Sequence, residues 1–455
     1  MAIVTFNPAT GRRLRSYREH TSGQLNQAAQ RAHRASLAWR GKTLVHRVRL
    51  LRSLARELRR EQPELAALAT MEMGKPIIQA LAEVEKCALG CDYYSAHGPG
   101  FLADERPTDA PAHRYVTYQP YGAILAVMPW NFPFWQIYRV VAPALLAGNT
   151  VLLKHAASVT GCALAIEQTF LRAGFPKGVF QTVVTGSEGV AQLIADSRVA
   201  AVTFTGSTAT GKKIAAMAGA AMKKGVFELG GSDPYVILAD ADLALAAEVC
   251  AAARLYNAGQ SCVAGKRFIV VDKVRAKFEK LFAERLAARR VGDPRVSATE
   301  VGPLARADLR EKLHAQVEKS VLLGARVLLG GRLPAGPGFY YPTTLLTGVR
   351  PGMPAYHEEL FGPVAAVISA KDEADAIRIA NGSPYGLGAA VFTKNKKRGE
   401  RIAREQLDSG CAFVNEFVRS HPALPFGGTK QSGYGRELGV WGLREFVYAK
   451  TISVS

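Results

Sequence analysis

The sequence predicts an α/β protein of two large domains, on the strength of its length and of the way its segments alternate. The chain has 455 residues, of which 48% are apolar, and this is more than one ordinary core accommodates. From about residue 122, short apolar runs alternate with helical segments, which is typical of βαβ units and a parallel sheet. The alternation restarts near Gly230, so we expect a second α/β domain to begin there.

Apolar spacing predicts the individual elements in chain order. Two long helices are expected over 23–43 and 45–72, and prolines punctuate the stretch 101–120. Later elements are predicted as strands at 122–128, 150–154, 179–185, 200–204 and 235–238, then a helix at 242–256, a strand at 267–271 and a helix at 274–288. A last strand over 447–454 needs an edge to pair with, and a neighbouring subunit can supply one.

The chain is strongly basic, with 58 Lys+Arg against 38 Asp+Glu and a net charge of +20. This balance raises the possibility of nucleic-acid binding. In the basic stretch 46–60, however, Val48, Leu51, Leu54 and Leu58 recur at helical spacing, so the charges are predicted to form the solvent face of an amphipathic helix. We therefore expect no nucleic-acid partner. The lack of a long apolar run and of a signal peptide predicts a cytoplasmic protein without a membrane partner.

Six cysteines are present, and their spacing predicts neither a metal site nor a disulfide framework. They stand at 87, 91, 162, 250, 262 and 411, without a C-x-x-C pair or a zinc-type His/Cys cluster. Cys262 follows Asn257-Ala-Gly, which is a helix stop, so it is expected at a turn that can face a cleft. The alternative for Cys262 is a buried structural thiol.

Three further segments carry side chains suited to catalysis. Glu228 ends an apolar strand before two glycines, where partial burial would raise its pKa toward that of a general base; the alternative is a salt-bridged strand-end carboxylate. Asn131, within Pro129-Trp-Asn-Phe-Pro, offers a neutral donor of the kind an oxyanion hole uses, or else shapes a rigid turn. The segment 204–211 (FTGSTATG) follows a strand and opens a helix, so its backbone N–H groups can meet a phosphate.

Together these segments resemble the aldehyde dehydrogenase superfamily over essentially the whole chain. The matching stretches occur in the family's order and spacing: PWNFP at 129–133, FTGSTATG at 204–211, FELGGSDP at 227–234, NAGQSC at 257–262, EELFGPV at 358–364 and PFGGTKQSGYGRE at 425–437. The resemblance implies the family fold, with a Rossmann-like nucleotide-binding domain at 1–99 and 119–229, and a catalytic domain at 230–446. Oligomerisation strands at 100–118 and 447–455 would complete a homodimer or homotetramer.

The resemblance also implies roles for individual residues. Cys262 would attack the aldehyde, Asn131 would hold the oxyanion, and Glu228 would activate water to hydrolyse the thioester. The implied cofactor-binding residues are Met128, Pro129, Trp130, Lys154, Ala157, Ser158, Gly206, Ser207, Leu229, Glu359 and Phe361. Many NAD-preferring relatives place a ribose-binding Glu where Ala157 stands. Its absence removes the repulsion of a 2′-phosphate, so both NAD and NADP stay open.

Substrate selection is expected to depend on Arg139, Tyr256 and Ser420. Arg139 lies eight positions after Asn131 and could clamp a substrate carboxylate; a snorkelling surface arginine or a subunit contact is the alternative. The chain resembles bacterial succinate-semialdehyde dehydrogenases at Arg139, near Ser420 and in the stretch 154–162. Tyr256 stands where some members carry a second arginine. Succinate semialdehyde is therefore the predicted substrate, with glutarate semialdehyde or a neutral aldehyde as alternatives.

Other functions remain open at this point. A coenzyme A-dependent acylating enzyme would not need Glu228, and a cysteine esterase would not need the cofactor segments. The basic composition alone suggests a non-catalytic nucleic-acid-binding protein. Cys262, Glu228 and Asn131 occurring together favour the NAD(P)-dependent oxidation of an aldehyde over these three.

Overall fold

The computed structural model, which describes residues 2–454, confirms the predicted α/β class. Its strands are β1 (Ala2–Phe6), β2 (Arg13–Arg18), β3 (Arg114–Pro120), β4 (Ala123–Met128), β5 (Thr150–His155), β6 (Phe180–Thr182), β7 (Val199–Thr205), β8 (Lys224–Glu228), β9 (Asp233–Ile237), β10 (Gly265–Val271), β11 (Arg326–Leu329), β12 (Thr344–Thr347), β13 (Val364–Ala370), β14 (Tyr385–Gly386), β15 (Gly388–Phe392), β16 (Cys411–Val414), β17 (Thr429–Lys430), β18 (Gly433–Tyr434) and β19 (Val447–Ser453).

Helices cover the faces of the sheets and fill the stretch before β3. They are α1 (Ser22–Arg40), α2 (Leu44–Arg60), α3 (Gln62–Met73), α4 (Ile77–Phe101), α5 (Trp135–Ala147), α6 (Thr160–Arg172), α7 (Ser187–Ala195), α8 (Thr208–Ala220), α9 (Leu243–Leu255), α10 (Asp272–Ala287), α11 (Ala307–Leu322), α12 (Pro354–His357), α13 (Glu373–Asn381), α14 (Lys396–Glu405) and α15 (Gly439–Arg444). Within residues 2–454, no helix has both the length and the apolar character needed to span a bilayer.

Two largely parallel sheets organise the chain. The first has the order β18-β8-β7-β4-β5-β6, and the second has the order β11-β12-β13-β10-β9-β15-β16. Every residue of the central strand β4 is buried, as expected for a parallel strand covered by helices on both faces. Because β4, β7 and β8 run parallel, their carboxyl ends place Met128, Thr205 and Glu228 along one edge of the first sheet.

One helical prediction needs correction, and one long helix was not predicted. The single helix predicted over 45–72 is wrong: α2 ends at Arg60 and α3 begins at Gln62. Pro63 is the reason, because proline has no N–H for the preceding turn and is tolerated only at the start of a helix. The 25-residue helix α4 was not predicted. By contrast, the amphipathic pattern of α2 is confirmed, since Leu51, Leu54 and Leu58 are buried.

The terminal strand finds its edge within its own chain. β19 pairs antiparallel with β3 over seven residues, from Val447 opposite Pro120 to Ser453 opposite Arg114. The two strands form a sheet of their own. The terminal strand therefore has the pairing edge that was predicted for it, and β3 of the same chain supplies this edge.

Candidate active site

Cys262 lies where two cavities meet. The larger cavity, of about 360 Å³, lies over the carboxyl ends of β4 and β7, and the smaller one, of about 70 Å³, lies between α4, α5 and the segment before β17. Cys262 and Gln136 line both of them. A thiol in this position can react with a molecule in the small cavity while a second molecule occupies the large one.

The turn that carries Cys262 is held in an unusual backbone conformation. After α9 ends, Asn257 and Ala258 adopt φ values of +54° and +53°, in the left-handed region that non-glycine residues rarely enter. The Asn257 side chain stabilises the turn, because its amide donates to the backbone carbonyl of Asn131 at 2.7 Å. Such strain is typical of sites whose geometry is fixed by their surroundings.

The side chain of Asn131 in turn donates a hydrogen bond to the turn that carries Cys262. Its Nδ2 donates to the backbone carbonyl of Gln260 at 2.9 Å, and its Oδ1 accepts from Nε2 of Gln136 at 3.1 Å. These two bonds fix the plane of the amide beside Cys262. Since a primary amide has two N–H groups, one of them remains to meet an oxyanion.

The Cys262 thiol is in a low-dielectric environment that contains two cations. Burial raises the pKa of the Cys262 thiol to about 12, while the positive charges of Arg139 and Lys266 lower it. Lys266 also donates to the backbone carbonyl of Cys262 at 2.7 Å. The thiolate that nucleophilic attack requires therefore depends on nearby positive charge.

Glu228 occupies the buried strand end that the sequence predicted. Neither of its carboxylate oxygens has a hydrogen-bond partner within residues 2–454. Burial and the neighbouring Glu437 raise the pKa of Glu228 well above its ordinary value, against the opposing charges of Arg139 and Arg436. Glu228 does not line either cavity, although its charge raises the pKa of the Cys262 thiol.

Arg139 is buried, with 4% of its surface exposed, so it is not a surface arginine. Its Nε forms an ion pair with Glu437, its Nη2 lies 3.4 Å from Oγ1 of Thr205, and its guanidinium carbon lies 5.0 Å from the centre of the Phe426 ring. Burial raises the pKa of Glu437 to about 7, and Arg139 lowers it. Glu437 lies inside the motif at 425–437 but was not predicted as a site residue.

The large cavity contains most of the residues predicted to bind a cofactor. Ser207 caps α8, and the open N-terminus of this helix faces the cavity at Gly206, Ser207 and Thr208. Free N–H groups and the helix dipole favour a phosphate there. On the opposite wall, Glu359 accepts from the backbone N–H of Gly231 at 3.1 Å. The cavity is also lined by Pro129, Trp130, Leu229 and Phe361.

Four predicted cofactor residues do not line the large cavity. Met128 and Lys154 lie at the carboxyl ends of β4 and β5, and Ala157 and Ser158 follow in a short 3₁₀ turn. Ala157 is exposed, and the buried Oγ of Ser158 has no hydrogen-bond partner in the described part of the chain. Burial lowers the pKa of the Lys154 ammonium, and Glu19 raises it.

The three residues predicted to bind substrate meet in the small cavity. Arg139, Tyr256 and Ser420 all line it. The Tyr256 ring stacks on Phe132 with a centroid distance of 5.9 Å, and the Ser420 hydroxyl accepts from Nε1 of Trp135 at 3.0 Å. Sequence reasoning missed Lys86, which lines this cavity from α4 and whose Nζ donates to Ser420 at 2.9 Å.

Fold and site together define a class of protein: an α/β enzyme with a cysteine thiol between a cavity that faces an open helix N-terminus and a small cationic cavity. Comparison with known proteins agrees, since residues 1–452 match the Aldehyde dehydrogenase family. The chain belongs to the aldehyde dehydrogenase family. The resemblance stated from the six motifs is thereby confirmed.

Similar proteins cover the chain from end to end. It is 46% identical over 455 residues to a probable NADP(+) succinate-semialdehyde dehydrogenase of Synechocystis sp., with full coverage of both chains. It is also 46% identical over 449 residues to the NAD(P)+ succinate semialdehyde dehydrogenase Sad of Escherichia coli, covering 99% of this chain and 97% of the relative. The solved succinic semialdehyde dehydrogenase of Streptococcus pyogenes, in complex with NADP+, matches with a TM-score of 0.97 at 37% identity, covering 99% of each chain.

Proposed function

We propose that this enzyme oxidises succinate semialdehyde to succinate with NAD or NADP as the electron acceptor. The observation that carries the proposal is the position of Cys262 between the two cavities. The small cavity presents the cationic side chains of Lys86, Arg139 and Arg419, which suits an aldehyde that also bears a carboxylate. The names of the full-length relatives support the same substrate.

The residues of the chain divide the reaction into two stages. Cys262 reacts as the thiolate, after its thiol proton has passed to solvent. Its Sγ bonds to the aldehyde carbon, and the free N–H of Asn131 and the backbone N–H of Cys262 stabilise the oxyanion that forms as the carbonyl double bond opens. A nicotinamide dinucleotide held in the large cavity by the N-terminus of α8 and by Glu359 would supply the two-electron acceptor for the hydride that leaves this carbon. Loss of the hydride leaves a thioester on Cys262. Glu228 then takes a proton from the water that attacks the thioester. Succinate is released and the Cys262 thiol is restored.

The cofactor side of the site fits a dinucleotide with or without a 2′-phosphate. The N-terminus of α8 accepts a phosphate, and Glu359 presents acceptor oxygens on the facing wall. No carboxylate is present at Ala157, and the buried Ser158 hydroxyl without a partner leaves a donor available nearby. We therefore propose that NADP is accepted and that NAD is accepted as well.

Steady-state reduction of NAD and NADP, followed at 340 nm with succinate semialdehyde and with propanal, tests the proposed function. We expect kcat/KM to favour succinate semialdehyde by about 100-fold, roughly 2.7 kcal/mol of transition-state discrimination. Cys262→Ala should reduce turnover by at least about 10⁴-fold. Equal values of kcat/KM for the two aldehydes would contradict the proposal that succinate semialdehyde is the substrate. Turnover retained by Cys262→Ala would contradict the proposal that Cys262 is the nucleophile.

We also propose a nucleotide-binding domain at 1–99 and 119–229, a catalytic domain at 230–446, and oligomerisation strands at 100–118 and 447–455 that assemble a homodimer or homotetramer. Strands β4 to β8 all fall within 119–229, and β9 to β16 fall within 230–446. The two-stranded β3–β19 sheet offers open edges for contact with another subunit, which supports a homodimer or homotetramer. All six cysteines are free, as is usual in the reducing cytoplasm. Light scattering on the purified protein would measure the assembly, and a monomer would contradict it.

A further inference from the structure

Lys266 is a buried cation that binds residues 257–264, here called the Cys262 turn. Its side chain is 1% exposed, and its Nζ donates to the backbone carbonyls of Ser261, Cys262 and Ala264 at 3.0, 2.7 and 3.3 Å. The same Nζ lies 3.4 Å from Oε1 of Glu359. A single ammonium group therefore contacts both the Cys262 turn and a carboxylate that lines the large cavity.

The contacts of Lys266 require its charged form. Three carbonyl oxygens accept from Nζ, and only the ammonium form supplies three N–H donors. Burial lowers the pKa of Lys266, while Glu359 and Asp233 raise it. A buried cation needs a counter-ion, and Glu359 is the one carboxylate within 4.0 Å of Nζ among residues 2–454.

Glu359 connects Lys266 to the large cavity. Its side chain is 19% exposed, and Oε1 accepts from the backbone N–H of Gly231 at 3.1 Å in addition to its contact with Lys266. Oε2 has no hydrogen-bond partner in the described part of the chain. One oxygen of Glu359 is thus held by the protein, and the other is left for a ligand in the cavity. A shift of Lys266 therefore changes where Glu359 meets that ligand.

Arg267, the next residue of β10, is a buried cation of the same kind that lies away from the site. Its guanidinium donates to the backbone carbonyls of Ser232 and of two residues at the end of α13, each at 2.9 Å. None of these accepting residues lines either cavity. Lys266 differs because each of its partners belongs to the Cys262 turn or to the wall of the large cavity.

We propose that Lys266 is a positioning residue that ties the Cys262 turn to Glu359, so that the nucleophile and the carboxylate of the large cavity keep a fixed relative position. Lys266 lines neither cavity, so it acts through the groups that it binds. The inference rests on the proposed function for its effect on hydride transfer, whereas the link itself does not depend on the identity of the substrate.

Hydrogen exchange of the enzyme without cofactor or substrate tests the link. Glu359→Gln keeps an oxygen for Gly231 but removes the carboxylate that holds Lys266. Because this ion pair is partly exposed to the cavity, we expect a modest effect, with backbone exchange in the Cys262 turn about fivefold faster. The end of α13, which Arg267 holds, is the internal control and should exchange at an unchanged rate. In Lys266→Gln, the further change Glu359→Gln should alter exchange of the turn less than about twofold.

The rate of the hydride burst, measured by rapid mixing with NADP and succinate semialdehyde, tests the consequence for the reaction. Lys266→Gln should slow the burst about 30-fold, because a misplaced thiol and acceptor react slowly. Arg267→Gln, which replaces the neighbouring cation by the same amide, should slow it less than about threefold. The double variant Lys266→Gln/Glu359→Gln should be within about threefold of the slower single variant, because the two residues act as one unit.

Three results would overturn the role of Lys266. They are unchanged exchange of the Cys262 turn in Glu359→Gln, equal slowing of the burst in Arg267→Gln and Lys266→Gln, and losses that multiply in the double variant. If the melting temperature shows that Lys266→Gln does not fold, the exchange of Glu359→Gln still decides whether the link exists. If that exchange is faster but the wild type does not prefer succinate semialdehyde, the link stands and the proposed substrate falls.

Discussion

Lys75 and Glu83 form a buried ion pair beneath the start of α5, and its disruption can be predicted quantitatively. The side chains are each 1% exposed. One oxygen of Glu83 also accepts the backbone N–H groups of Phe134 and Trp135, at 2.8 Å and 2.9 Å. Glu83→Gln keeps an oxygen for these two bonds but removes the charge. Lys75 is then a buried cation without a counter-ion, and such a loss typically costs about 3–5 kcal/mol.

The loss in free energy of unfolding caused by Glu83→Gln has an upper limit, because Lys75 can release its proton and become neutral. Burial lowers the pKa of Lys75 below its ordinary value of 10.5, and Glu83 raises it. Neutralising a lysine of that ordinary pKa takes about 4.8 kcal/mol at pH 7 and about 2 kcal/mol at pH 9. The unfolded chain binds the proton that folded Glu83→Gln releases, so the stability of the variant rises with pH, by up to about 1.4 kcal/mol per unit.

Urea denaturation of the wild type and Glu83→Gln at pH 7, 8 and 9 measures this difference. The deficit of the variant should be about 3–5 kcal/mol at pH 7 and should shrink toward about 2 kcal/mol at pH 9. The double variant Lys75→Met/Glu83→Gln should recover most of the loss at pH 7, since no buried cation is left. A deficit below about 1 kcal/mol at pH 7, or one that does not change with pH, would refute the reasoning.

Three further predictions concern the reaction. Glu228→Gln should give a burst of about one reduced cofactor per subunit, because hydride transfer precedes the step that needs a base. The steady-state rate after the burst should be at least about 100-fold below that of the wild type. Loss of the burst would assign Glu228 another role. Burial raises the pKa of Glu228, so the wild-type kcat should fall as pH decreases through that raised value. Ala157→Glu should lower kcat/KM for NADP at least about tenfold relative to NAD, by repulsion of the 2′-phosphate, and an unchanged ratio would place that phosphate elsewhere.

The local sequence pattern predicted those strands and turns whose conformation depends on residues close to them along the chain. The run at 122–128 reads as a buried strand because all its residues are apolar, and β4 is buried throughout. The turn at Cys262 was predicted from its Asn-Ala-Gly stop. Helix α4 was missed because it contains Gly90, Gly98 and Pro99, residues that on local grounds argue against a helix. Packing against α2, α3 and α5 overrides that preference.

Side chains that act through distant partners were the ones that sequence reasoning could not identify. Lys86 becomes notable only beside Ser420, which lies 334 positions away. Glu437 lies in the motif at 425–437, but only the fold shows that it forms an ion pair with Arg139. The clamp role predicted for Arg139 rests on its charge, its position and the resemblance to succinate-semialdehyde dehydrogenases, whereas the structure adds a competing carboxylate, Glu437. The roles of these charged side chains can be assigned only when their neighbours in the folded structure are known.

The charges around Cys262 also indicate how the two stages can share one site. The Cys262 thiolate and the Glu228 carboxylate both depend on Arg139, and the charge of Glu228 raises the pKa of the thiol. The two anionic forms therefore oppose each other, and their proton equilibria are linked. Formation of the thioester removes the negative charge from Sγ, so that the Glu228 carboxylate shares the charge of Arg139 only with Glu437. In the reaction that we propose, Glu228 is then favoured as the base at the hydrolysis stage, and Cys262 is favoured as the nucleophile at the stage before.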